Sequence, residues 1–197
     1  MSRLHFASAL LPSGWANDVQ VVITAGAIAE VTAGVAPAAG DERHAIALPG
    51  LASLHSHAFQ RGMAGLAELR GDSSDTFWTW RETMYRFALA MTPDDVAAVA
   101  TQLYVEMLEQ GFTRVGEFHY LHHDRDGSHY GDPAEMAGRI AQAAEASSIG
   151  LTLLPSFYAH SSFGGKLTSL VAALVSWLAP GLAHCPRCRF STVHGFS

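Results

Sequence analysis

The stretch Leu48-Pro49-Gly50-Leu51-Ala52-Ser53-Leu54-His55-Ser56-His57 reads as a turn, an apolar strand and two histidines spaced i, i+2. Side chains on a strand alternate between faces, so His55 and His57 point the same way. Two neutral imidazoles on one face, at a strand end, can grip one metal ion from one side. The plain alternative is two unrelated polar residues at a strand end, and a lone His-x-His does not decide between them. The chain carries 11 histidines against 12 Lys plus Arg, and His119, His122 and His123 form a second cluster. Such clustering suits metal or acid–base chemistry.

The elements around these residues follow from their spacing. Val19–Thr24 is β-rich, Ala25-Gly26 marks a turn, and Ala27–Val31 alternates, which predicts a hairpin within residues 1–47. Leu51–Ser56 is a candidate buried strand. Residues 59–75 read as a long loop with room for one helical turn, and the aromatic-rich Phe77–Phe87 reads as a helix. Thr92 then offers an N-cap, Pro93 fits the first helical position, and Asp94 and Asp95 suit the positive end of the helix dipole. Val96, Val99, Leu103 and Met107 recur at helical spacing, Gly111 stops the helix, and Thr113–Phe118 reads as a strand. The pattern repeats, with a helix capped by Asp132, started by Pro133 and running to Gly150, then the apolar strand Leu151–Phe157. Strands alternating with capped helices predict α/β architecture with a parallel sheet. His55 and His57, then His119 and Tyr120, then Tyr158 and His160 each follow a strand. The carboxyl ends of strands are where α/β barrels place their active sites.

Composition narrows the classes. A net charge of −6 lacks the basic footprint of a nucleic-acid binder. No apolar run reaches the ~18 residues of a membrane span. The N-terminus is interrupted early by Pro12 and Gly14 and reads as no signal peptide, and two cysteines cannot build a disulfide framework. The expectation is a cytoplasmic protein without nucleic-acid or membrane partners.

Four blocks carry a family resemblance. They are His55-Ser56-His57-Ala58-Phe59-Gln60-Arg61-Gly62-Met63-Ala64-Gly65, Phe77–Tyr85, Glu117–His123 and Tyr158–Gly165. Together with Leu48-Pro49-Gly50, they resemble formimidoylglutamate deiminases of the amidohydrolase superfamily, over residues 1 to about 165. The resemblance implies the N-terminal portion of a TIM barrel, about three βα units, preceded by strands of a small β-sandwich. It implies hydrolysis of N-formimidoyl-L-glutamate to N-formyl-L-glutamate and ammonia, in histidine degradation, with one divalent metal, zinc in the first instance. By resemblance His55 and His57 are metal ligands, and Gln60, Arg81 and Tyr120 hold the substrate's glutamate end. Arg81 offers a planar fork to a carboxylate; the alternatives are a surface arginine for Arg81 and a strand-end core cover for Tyr120. His119 is assigned to the pocket lining or a supporting position, His160 to the pocket without a role, and His122 and His123 to solvated loop. Full-length members imply a possible homodimer. Another deaminase of the superfamily and a non-catalytic fragment are the competing readings.

The chain also departs from the family pattern. A TIM barrel takes ~250 residues, more than follow Leu48. The third metal histidine, the metal aspartate and the acid–base Glu and His expected of the superfamily have no counterparts. The expected organisation is therefore 1–47 as a β-rich segment, 48–165 as the first βα units of an incomplete barrel, and 166–197 as an atypical tail. No acid occurs after Glu145, and the tail is read as frameshifted or non-native sequence. Within it Cys185 and Cys188, with His184 and His194 nearby, could instead form a small zinc site.

Overall fold

A computed structural model describes residues 1–66 and 77–156, without the side chains of residues 77–79 and 82. His160, Tyr158 and the 166–197 tail with its cysteines lie outside these residues. Backbone contacts divide the chain after Gly50 into two units.

The first unit is a four-stranded sheet in the order β3-β2-β1-β4, built from Ser2–Leu11, Gly14–Thr24, Ala27–Thr32 and Glu42–Ala47 as β1 to β4. The β2–β3 hairpin turns at Ala25 and Gly26, both with positive φ (51° and 77°). That is the backbone a two-residue hairpin needs to match strand twist. β4 adds parallel to β1, pairing Leu4 with Glu42 and Ala9 with Ala47. This makes a mixed sheet, larger than the predicted hairpin.

The second unit is three parallel strands in the order β5-β6-β7: Leu51–Ser56, Phe112–His119 and Gly150–Pro155. Between β5 and β6 lie a 3-10 helix over Ala58–Met63, α1 over Phe77–Ala88 and α2 over Pro93–Glu109; α3, Glu135–Ser147, joins β6 to β7. The predicted cap of α2 is a complete capping box, in which Thr92 and Asp95 each accept from the other's backbone N–H. α3 begins later than predicted. Asp132 Oδ1 accepts from Ala134 N at 2.8 Å, which spends the cap on a turn ahead of the helix. α3 also ends earlier, at Ser148 in the left-handed region (φ 65°). Alternation sends Val115, Glu117 and His119 of β6, with Leu151 and Leu153 of β7, into a core closed by Val96, Ala100 and Tyr104 of α2 and Met136 and Ile140 of α3. The opposite face of β6 and β7, with Phe118, Thr152 and Leu154, is half-buried, and β5 leaves Leu51 and Leu54 exposed. Parallel sheets are ordinarily covered on both faces. Among the described residues the sheet does not close, as expected of an incomplete barrel. No described helix is long and apolar enough to cross a membrane.

Candidate metal and substrate site

His55 and His57 converge as alternation predicts, with their Nε2 atoms 3.1 Å apart and their rings edge to face at 4.6 Å. His57 Nδ1 lies 2.8 Å from the Phe118 carbonyl. A carbonyl only accepts, so Nδ1 carries the proton and Nε2 of the neutral ring presents its lone pair. Burial holds the His57 pKa below the ordinary histidine value, against the pull of the Phe118 carbonyl and with a push from His55. The neutral ring is the form that binds metal. In the metal-free chain His55 Nε2–H can donate to His57.

A divalent metal fits this pair. Tetrahedral zinc ligands at roughly 2.0–2.1 Å from the ion stand about 3.3 Å apart, close to the spacing of the two Nε2 atoms. A backbone carbonyl on the far nitrogen is the usual support of a metal-binding histidine. Among the described residues no third His, Cys, Asp or Glu joins the pair.

The predicted substrate residues lie close by. The Tyr120 ring stands 4.9 Å from the His57 ring, and Gln60 Nε2 donates to Tyr120 Oη at 3.1 Å. Gln60 leaves the 3-10 helix that begins directly after His57, and Tyr120 directly follows β6. Both touch Met84 Sδ, Gln60 Nε2 at 3.4 Å and Tyr120 Oη at 3.6 Å. Met84 belongs to α1, three residues after Arg81, so the two share a helix face. Arg81 is not a bare surface arginine: its Nε donates to Tyr85 Oη at 2.9 Å and its guanidinium lies 5.1 Å from the Tyr85 ring centre.

His119 takes the other face of β6 from Phe118, whose ring stacks at 4.7 Å on His55. It is buried, its Nε2 makes no hydrogen bond, and burial beside His122 pushes its pKa down to about 3. The structure corrects the reading of His122 and His123 as solvated. His123 is buried, and His122 Nε2 lies 3.0 Å from the Ser156 carbonyl beyond β7. Their partners are distant in sequence, and local composition does not reveal them.

Spacing does not mark three contributors. Met84 looks like an ordinary core methionine. Phe118 acts through its backbone. Glu117 sits buried behind the histidines, its Oε1 accepting from Ala58 N at 2.6 Å. Its Oε2 and the Tyr104 hydroxyl are buried without well-formed hydrogen bonds. Burial pushes the Glu117 pKa up to about 7, against the Ala58 amide and the Ser56 and Tyr104 hydroxyls. The signal in the sequence is a lone acid inside an otherwise uncharged strand end, Val115–His119.

Comparison with known proteins agrees with this architecture. Residues 1–45 match the family described as formimidoylglutamate deiminase HutF, N-terminal domain, and residues 46–172 match the amidohydrolase family. A formimidoylglutamate deiminase from Pseudomonas aeruginosa is 51% identical over 170 residues, covering 86% of this chain. The chain spans only 38% of that relative's length. Among solved structures, an amidohydrolase from Brucella melitensis superposes with a TM-score of 0.85 at 55% identity, over 89% of this chain and 40% of that one. Atrazine chlorohydrolase from Arthrobacter aurescens TC1, complexed with zinc, gives a TM-score of 0.69 at 18% identity, over 98% of this chain and 46% of that one. At that identity the likeness speaks for the fold alone. With a parallel sheet, a histidine pair at its carboxyl end and a family match over most of its length, the chain belongs to the amidohydrolase family.

Proposed function

We propose that this chain carries one part of the active site of a metal-dependent formimidoylglutamate deiminase, the part that holds one face of a divalent metal and the glutamate end of the substrate. The observation that carries the reading is the convergence of His55 and His57 Nε2 at 3.1 Å, with Gln60 and Tyr120 packed alongside. His55 and His57 would hold the ion. When bound, a divalent metal such as zinc supplies Lewis acidity and a water acidic enough to attack at neutral pH.

The chain's own residues bind and orient. The Arg81 fork matches a carboxylate, while Gln60 and Tyr120 offer directional hydrogen bonds from one shared cluster. Apolar walls from Phe118, Phe59 and Met84 limit water around that cluster. The reaction adds water to the formimidoyl carbon and releases ammonia, leaving the formyl amide. The histidine-degradation setting and a cytoplasmic location are part of the same proposal. The remaining ligands and the acid–base groups are not among the described residues, so the 197-residue chain by itself is proposed to be inactive.

The test is metal content and ammonia release from N-formimidoyl-L-glutamate, measured on the purified chain and on the Pseudomonas aeruginosa relative in parallel. The expected result is turnover by the relative, and none by this chain, whose weak metal binding is lost on His57→Ala. Metal affinity unchanged in that variant would overturn the assignment of the pair. In the intact relative, replacing the arginine that aligns with Arg81 by Met should raise KM far more than it lowers kcat. An unchanged KM would sink the substrate assignment.

A further inference from the structure

We propose that Glu117 is a positioning residue for the histidine pair, its buried side chain holding the chain just after His57 against β6. The inference rests on the reading of His55 and His57 as metal ligands. β6 meets the end of β5 through two successive residues. Glu117 Oε1 takes the Ala58 amide at 2.6 Å, and the Phe118 carbonyl takes the His57 ring at 2.8 Å. Ser56, one residue before His57, pairs in register with Glu117. His57 is thus flanked on both sides by residues tied to Glu117 and is itself tied to the next residue of the strand.

The Ala58 amide is the first of the 3-10 helix, where no earlier helical carbonyl exists to accept it. The helix offers no side-chain cap of its own, since His57 at the cap position makes no such bond. Glu117 supplies that cap from a neighbouring strand. A buried carboxyl is a costly way to fill core space, because a buried polar group without full pairing costs free energy. Leu153, its register partner on β7, shows that an apolar residue suits that layer. The acid earns its place by what it fixes. Without it the His57 backbone can pivot, Nδ1 leaves the Phe118 carbonyl, and the ring no longer presents Nε2 toward His55.

The experiment compares wild type, E117L and E117Q in the 197-residue chain, with two readouts. The first is the His57 tautomer from the ring nitrogen shifts in metal-free protein. The second is Co²⁺ affinity. E117Q keeps an oxygen for the Ala58 amide; E117L does not. The expected result is a His57 ring held as the Nδ1–H tautomer in wild type and E117Q and averaged between tautomers in E117L. Co²⁺ affinity should fall at least tenfold in E117L and recover most of that loss in E117Q. A folded E117L with the wild-type tautomer and affinity would overturn the proposal. So would an Ala58 amide exchanging in wild type at an unprotected rate, a measurement that stands even if E117L fails to fold. If wild type shows no Co²⁺ binding at the pair, the metal reading falls and the tautomer still decides the role of Glu117.

Discussion

Replacing Glu117 by Gln should change how stability depends on pH, in a direction fixed by burial. The Glu117 pKa is pushed up to about 7 from an ordinary 4.5, chiefly by burial. A folded-state pKa above the unfolded value means the folded state holds its proton more tightly. The associated stability is fully present below about pH 4.5 and is lost as pH rises through about 7. A shift of that size corresponds to about 3 kcal/mol, at 1.36 kcal/mol per unit. Gln does not titrate, keeps the Ala58 hydrogen bond and has nearly the same volume. The stability of E117Q minus that of wild type should therefore climb by about 3 kcal/mol between pH 4.5 and 8 and level off above that. In a chain of this length that is a shift of about 6–12 °C in relative Tm. His57, His119 and His122 work in the opposite sense. Their folded pKa values are lowered, so their contribution is present above the unfolded histidine value and lost as pH falls. Both proteins carry them, so they cancel in the difference. Urea unfolding at half-unit pH steps reads the difference directly. A gap between the two proteins that stays constant from pH 5 to 8 would refute the view that the acid is desolvated in the fold.

Leu153→Ala, at a position 1% exposed and in register with Glu117, should cost about 2–5 kcal/mol in urea unfolding. By opening space beside the acid it should also shrink the pH step just described. Gly62→Ala places a Cβ 2.6 Å from Phe87 Cζ and 3.3 Å from Val99 Cγ2, far inside carbon contact distance. It should destabilise by about 1–3 kcal/mol, and a Tm equal to wild type would mean that Phe87 yields without cost. Met84→Leu conserves volume and should cost less than about 1.5 kcal/mol in stability. It removes the sulfur that Gln60 and Tyr120 share, so the aligned change in the intact Pseudomonas aeruginosa relative should weaken substrate binding more than folding, read as a rise in KM.

What was legible in the sequence was whatever depends on near neighbours. The α2 start was readable because the capping box lies within four residues, Thr92 to Asp95. The convergence of His55 and His57 followed from strand alternation alone. β4 was not readable. Glu42-Arg43-His44-Ala45-Ile46-Ala47 is mostly exposed and becomes a strand by pairing with β1, nearly forty residues earlier. The α3 boundaries slipped because Asp132 and Ser148 take turn conformations that compete with the helix. His122 and His123 read as loop because their burial depends on tertiary packing, as with the Ser156 carbonyl that meets His122. Glu117 illustrates the same limit in the site. Its spacing showed which face it shares with His119, but its tie to Ala58 spans 59 residues.

The two ties that fix His57 have a consequence for synthesis. Its ring bond reaches 61 residues ahead and the neighbouring amide bond 59, both into β6. At ~5–20 residues per second, a ribosome needs roughly 3–12 s to make that interval. During it, the histidines are already in the nascent chain and nothing yet holds them. Once β6 emerges, the pair can be set while β7 and everything after it are still unmade. A metal-binding half-site that forms this early is exposed to whatever ions the nascent chain meets, well before any further ligand exists to choose among them.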